Sequence, residues 1–247
     1  MEAVARLPFF CTHALVAPAG VVSELAARYP QATVLAEPGG GMYAAINAGL
    51  AAVRDWDAFT YINDDDLLLP RFAKVVARAR TTEARIAYGG VRLINTQGRR
   101  VGAIPICPLP ALNRLLYAQR VEPVYQHGTV VTRAVVDRLG PFDESLRFCG
   151  DSEFLARACV AQVPFVCATQ GVVAAFRLRA GQLTKNLPAM LEEHNRLYQK
   201  LGLPADRIAL RHRVARLVFL AANVPVYVER IYRHGFISFG EVLARVK

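Results

Sequence analysis

From residue 13 to residue 63 the chain alternates short apolar runs rich in β-branched residues with segments of helical period, and few folds accept that pattern. Residues 13–17 (HALVA), 32–37 (ATVLAE) and 58–63 (AFTYIN) read as strands. Residues 20–29 and 42–55 read as the helices between them, the first closing before Pro30. Strands joined through helices have room for a parallel crossover, so the alternation implies a mostly parallel sheet covered on both faces. Ligands of such α/β sheets bind at the carboxyl ends of the strands.

The rest of the chain continues the theme more loosely. Pro70 opens a helix over 70–80 with apolar residues at Phe72, Val75, Val76 and Ala79. A strand pair, 85–95 and 100–105, follows around the turn TQGR. Residues 109–120 read as a helix, 127–133 as a strand, 133–140 as a short helix stopped by Gly140, and 151–161 as a helix. Two further strands, 164–170 and 172–178, complete the pattern. From Leu187 the sequence is helical, ending in two longer helices separated near Pro225. This divides the 247 residues into a domain over 1–186 and a helical C-terminal extension over 187–247.

The last strand of the opening pattern runs into YINDDDLLLP, three adjacent aspartates in a chain of net charge +10. Alternate strand residues share a face, so Asp64 and Asp66 are expected to point into one cleft and Asp65 away from it. Paired hard oxygen donors at a strand end suit Mg2+ or Mn2+, which keep waters and take substrate phosphates as further ligands. An N-cap for the following helix is the structural alternative, although one aspartate suffices for that. Gly39, Gly40 and Gly41 lie between a strand and a helix, either as a plain turn or as backbone donors near a phosphate. Farther on, Asp151 and Glu153 open a helix, where they cap it or, ionised, serve as a general base toward a hydroxyl. His127, Arg177 and Arg179 are candidates for contacts with an acceptor or a diphosphate.

Five cysteines, odd in number and without CxxC spacing, imply reduced thiols rather than a disulfide framework or a zinc site. The N-terminal residues lack a cationic segment leading into a long apolar one, so no signal peptide is expected and a cytoplasmic location is. The apolar run at 217–228 is shorter than the roughly 20 residues that span a bilayer. Residues 205–247 carry eight Lys and Arg against three Asp and Glu, half of the net charge. Such a tail fits peripheral contact with the inner face of an anionic membrane, packing against the main domain or a second subunit, or a plain solvated helix face. Nothing beyond charge suggests a nucleic-acid partner.

Taken in order, EPGGGMYAAINAGLAAV, YINDDDLLLP, IAYGGVRLINTQGRR and YQHGTVVTRAVVDRLGPFDESLRFCGDSEFLARA resemble the GT-A-fold, family-2 type glycosyltransferases across residues 10–185. The resemblance implies a Rossmann-like three-layer sandwich of the nucleotide-diphospho-sugar transferase kind, with a mostly parallel mixed sheet. It also implies a reaction: a sugar passes from a nucleotide diphosphate sugar to a hydroxyl-bearing glycan or lipid-linked acceptor, with inversion. On that likeness Asp64 and Asp66 hold Mg2+ or Mn2+ against the diphosphate. Tyr43 and Asn47, with Asp64 and Asp65, line the donor site. Asp151 is the base, and His127, Arg133 and Glu153 lie on the acceptor side.

The sequence departs from the family pattern in several places. The family's first strand is not evident before residue 13, its Asp-Gly-Gly-Ser turn reads APAG at 17–20, and Ala44 stands where an acidic residue follows the Gly-Tyr pair. No late histidine ligand is evident near FRLRAGQLT, where Arg177 or Arg179 can neutralise phosphate instead. A catalytically degenerate binding or scaffold protein is therefore the alternative expectation.

Overall fold

The computed structural model describes residues 11–81, 85–179, 182, 186–203, 209–236 and 241–242. The basic residues Arg207, Arg245 and Lys247, and most of the N-terminal segment read for a signal peptide, lie outside them. In chain order the described elements begin with β1 (Ala14–Ala17), α1 (Val22–Arg28), β2 (Thr33–Ala36), α2 (Met42–Ala52), β3 (Ala58–Phe59) and β4 (Leu67–Leu68). There follow α3 (Phe72–Ala79), β5 (Ile86–Ile94), β6 (Arg100–Ile104), α4 (Asn113–Tyr117), β7 (Thr129–Thr132) and α5 (Arg133–Leu139). The last are α6 (Gly150–Val160), β8 (Phe165–Arg177), α7 (Leu187–Lys200), α8 (Leu210–Ala222) and α9 (Val224–His234).

The strands form two sheets. β1 and β2 pair in parallel by themselves, and a six-stranded sheet runs β3-β7-β5-β8-β4 with β6 added on β5. The α/β class stands as read, but in the large sheet only β5 and β8 are parallel; the other pairings there are antiparallel. The connections explain this. β5 and β6 are joined by a tight turn closed by Asn95 and Arg99, which permits only an antiparallel pair. β1 and β2, in contrast, are linked through α1. The two strands expected at 164–170 and 172–178 are a single strand, β8, whose register against β5 shifts around Gly89 and Gly90.

Alternation along β5 builds the layers. Ile86 and Tyr88 face one side, where Val135 of α5 and Phe154, Leu155 and Ala158 of α6 bury them. Ala87 faces the other, where Phe72, Val75 and Ala79 of α3 pack with Val130 and Ala174. Each large side chain so buried contributes about 1.5–3 kcal/mol. Leu197 and Tyr198 of α7 join the first of these cores, so this helix packs with the sheet domain. α2 connects the two sheets: Tyr43 is buried in the main core, while Gly49 lies so close to β1 that an added Cβ would meet Val16 Cγ2 at 3.3 Å. Ala215 and Phe219 of α8 pack with Cys107 and Leu116. All five cysteines are free.

Candidate active site

β3 ends at Phe59 and β4 begins at Leu67, so the three aspartates sit in the turn between two short strands. The expected strand over 58–63 stops early, and strand alternation therefore does not apply to them. Asn63 and Asp66 close the turn, with Asp66 N donating to Asn63 O at 3.3 Å. Asp64 is exposed, and Asp66 is buried with 5% of its surface accessible.

Each aspartate has different surroundings. Asp66 Oδ1 accepts from the Arg177 backbone N–H at 2.7 Å, and Asp66 Oδ2 accepts from Asn63 Nδ2 at 3.3 Å. Asp65 pairs with Arg179 Nε, and Arg177 Nε donates to the Asp65 carbonyl at 2.7 Å. Asp65 thus turns to an arginine, neither to a cleft nor to the cap of α3. Asp64 makes no ion pair among the described residues.

His127 lies on the inner side of this turn. Its Nε2 is 3.3 Å from Asp66 Oδ2, its ring packs 4.3 Å from that of Phe176, and both ring nitrogens are buried without a hydrogen-bond partner. The donor set around this turn is two carboxylates of unequal exposure and an orphaned imidazole. Among the described residues no three His, Cys, Asp or Glu side chains are gathered into a ready-made metal cage. A cation that takes diphosphate oxygens and water for most of its shell needs only one or two carboxylates. Asp64 is exposed and free of ion pairs among the described residues, whereas the Asp66 carboxylate is inaccessible and accepts from Arg177 N and Asn63 Nδ2. Gln126, one residue before His127, donates from its side chain to the Tyr61 carbonyl and ties the two segments together.

Asp151 is in the first turn of α6. Tyr43 OH donates to its Oδ1 at 3.1 Å, and the contact depends on the residue before it. A Cβ on Gly150 would lie 2.7 Å from the Tyr43 ring, so only glycine lets the phenol reach the carboxylate. Burial raises the Asp151 pKa, and the charge of Glu122 raises it further; the Ser152 N–H, His127 and Tyr43 act the other way. The cavity beside Asp151 is narrow and walled by Tyr61, Gln126, Phe142 and Phe154.

A second polar group supports this one from below. Glu122 Oε1 accepts from Ser152 Oγ at 2.5 Å and from His194 Nε2 at 2.7 Å. Burial alone would raise the Glu122 pKa, but the hydrogen bond and charge of His194, with the Ser152 hydroxyl, hold it below the ordinary value. His194, which burial alone would depress, is raised by Glu122 and by the charges of Asp151 and Glu193. Glu193 accepts from three consecutive backbone N–H groups, those of Arg147, Phe148 and Cys149, at 2.8, 2.7 and 2.7 Å. These are the donors leading into α6, so one carboxylate from α7 anchors the entry to the helix that carries Asp151. The sequence reading did not find Glu122, Ser152, Glu193 or His194 as site residues, since no local spacing links them.

Other expected site residues are placed elsewhere. Asn47 clamps residue 142, accepting from Phe142 N at 3.0 Å and donating to Phe142 O at 2.9 Å, and it also bonds Glu144. Its side chain, expected at the donor site, is engaged by this loop. Tyr43 likewise is 1% exposed and serves Asp151. Glu153, expected on the acceptor side, is buried and grips Arg157 through both oxygens at 2.9 Å. Residues two apart on a helix face nearly opposite ways, so Asp151 and Glu153 do not serve one cleft. Arg133 caps the Arg54 carbonyl at 2.7 Å and lies over Trp56, at the start of β3 and away from the aspartate end. The glycine run is a shaped turn, with φ of 84°, 81° and 97° at Gly39, Gly40 and Gly41, all in the left-handed region.

No protein-family model matches the chain, and no curated protein matches it. Among solved structures it superposes on S. aureus TarS 1-349 in complex with UDP over 97% of its own length and 71% of that chain, with a TM-score of 0.58 and 15% identity. The fold is GT-A-like. The complex of TarS 1-349 with UDP-GlcNAc matches at a TM-score of 0.57 and 14% identity, over 94% of this chain and 68% of that one. Against the longer S. aureus TarS structure the chain spans 41% of the length at a TM-score of 0.58 and 15% identity. At such identities the likeness is one of GT-A-like fold. It agrees with the architecture expected from the sequence.

Proposed function

We propose that this chain is an inverting, family-2 type glycosyltransferase that moves a sugar from a nucleotide diphosphate sugar to a hydroxyl-bearing glycan or lipid-linked acceptor. The observation that carries the reading is Asp151. A carboxylate held by a tyrosine at the head of a helix, with raised proton affinity, suits a general base. The GT-A-like fold supports the donor class, since S. aureus TarS, a nucleotide-sugar glycosyltransferase, has been crystallised with UDP and with UDP-GlcNAc.

In this reading Asp151 takes the proton from the acceptor hydroxyl as its oxygen attacks the anomeric carbon. The bond between that carbon and the diphosphate oxygen breaks on the opposite face, and configuration inverts in one displacement. Tyr43 fixes the carboxylate during the transfer. Arg179, tethered by Asp65, offers positive charge beside the leaving diphosphate. Asp64 and Asp66 would hold Mg2+ or Mn2+, whose chemistry is to neutralise charge on the departing phosphates. A cytoplasmic site of action belongs to the reading, as does a catalytic role for residues 1–186, with the extension over 187–247 supplying Glu193 and His194.

The test is calorimetry and product analysis of the full chain with Mn2+ and a panel of UDP-sugars, beside Asp151→Asn. Donor binding in both proteins with turnover only in the wild type is expected. Neither binding nor turnover of any nucleotide sugar would defeat the reading. A second reading, a degenerate binding or scaffold protein, is favoured by one observation: internal groups already engage Asp65 and Asp66. Donor binding without turnover in the wild type would select it.

A further inference from the structure

α8 and α9 present two contrasting faces. Inward, Ala215, Phe219 and Asn223 are buried against the body. Asn223 fixes the joint between the helices, accepting from Ile106 N at 3.1 Å and donating to Ile106 O at 2.9 Å and to Phe219 O at 2.8 Å. Outward, Leu210, Val214, Leu217, Leu220, Val224 and Val228 recur every three or four residues and are all exposed, Leu210 by 76%. Tyr232 and Phe236 extend the series at 89% and 92% exposure. Such a run of exposed large apolar side chains at helical spacing marks an interaction surface rather than the scatter of single residues normal for a protein exterior.

The charge around the stripe selects its partner. Arg211, Arg213 and Arg216 are exposed and make no ion pair among the described residues, and α8 contains no acidic residue. In α9 the single acid, Glu229, is consumed by Arg100 at 2.5 Å and Arg233 at 2.9 Å, while Arg230 lies over the Tyr227 ring. A second copy laid on this face would bring arginine against arginine. The apolar stripe would have no counterpart on a nucleic acid. An anionic lipid surface satisfies both halves of the face: acyl chains take the leucines and valines, and headgroups take the guanidinium groups. Exposed aromatic residues suit the interfacial level. No helix among the described residues is long and apolar enough to cross a membrane, so contact along the surface is the geometry that remains for these two.

We propose that the outward face of α8 and α9 docks this protein on an anionic membrane surface. The inference is independent of the transfer reaction, since none of these residues touches the Asp151 or aspartate groups. It is tested by flotation of the full chain with vesicles of phosphatidylglycerol and phosphatidylcholine, and with phosphatidylcholine alone. The wild type is expected to float with the former and not the latter. Replacing Arg211, Arg213 and Arg216 by Gln is expected to lower partitioning on the order of a hundredfold. Leu217→Ser with Val228→Ser is expected to abolish it at unchanged thermal stability. The proposal is overturned by absence of flotation, by equal flotation on neutral vesicles, or by variants that bind as the wild type does. It is equally overturned if sedimentation shows a dimer that Leu217→Ser and Val228→Ser dissolve, which would make the face an interface between copies.

Discussion

Asp151 carries opposite consequences for folding and for chemistry. Its folded-state pKa is raised, so its contribution to stability is complete below the ordinary aspartate value of about 3.9 and is lost as pH rises through the folded value. Asparagine at this position keeps an oxygen for the Tyr43 hydroxyl and removes the charge. Asp151→Asn is therefore expected to melt above the wild type at pH 7, with the difference vanishing on acidification, while transfer falls by about 10²–10⁴-fold. Scanning calorimetry against pH and a transfer assay check the two halves separately. The Glu122 and His194 pair behaves differently. Glu122 is depressed and stabilises above the ordinary glutamate value of about 4.3, and His194 is raised and stabilises below the ordinary histidine value of about 6.5. Their coupling is thus expected to be largest between those limits and to fade above the folded pKa of His194, as a double-mutant cycle of Glu122→Gln and His194→Gln at several pH values will show. The placement of Asp151 in a first helical turn was legible because a carboxylate that opens a helical segment is a local pattern. Glu122 and His194 are 72 positions apart and meet only once α7 has packed.

α6 shows how one element converts packing into position. Its entry is anchored by Glu193, and its first residue is a glycine on which the Tyr43 ring rests. Gly150→Ala forces a methyl group to within 2.7 Å of that ring, and the ring is buried with nowhere to retreat. The expected cost is about 1–3 kcal/mol, read from denaturant unfolding, with a loss of transfer activity larger than that of Tyr43→Phe, which removes only the hydrogen bond. The helices were the elements most easily read, because α2, α3 and α6 repeat apolar residues at helical spacing over two or more turns. β3 and β4 were not. Each is two residues long, and the aspartate turn between them takes up what looked like the rest of one strand and the approach to a helix.

At the scale of the molecule, alternation in the sequence anticipated strands layered with helices but not their division into two sheets. A strand's partner is decided by what remains unpaired elsewhere, and local periodicity carries no record of that. The division has a dynamic consequence. No residue of β1 or β2 is fully buried, whereas every residue of β5 but Arg92 is. Among the described residues β1 and β2 pair only with each other, and α2 carries them on the body. Opening this unit exposes little apolar surface and breaks one short ladder, so it costs much less than opening the main sheet. Amides of residues 14–17 and 33–36 are expected to exchange with solvent faster than those of β5 and β8, as hydrogen exchange by mass spectrometry will resolve. The proposed nucleotide-sugar donor gives the same measurement a second use. If the nucleotide of the donor seats against β1 and β2, UDP with Mn2+ will slow exchange there while β5 and β8 stay unchanged. Protection confined to the aspartate turn would mean that the diphosphate binds without help from the small sheet.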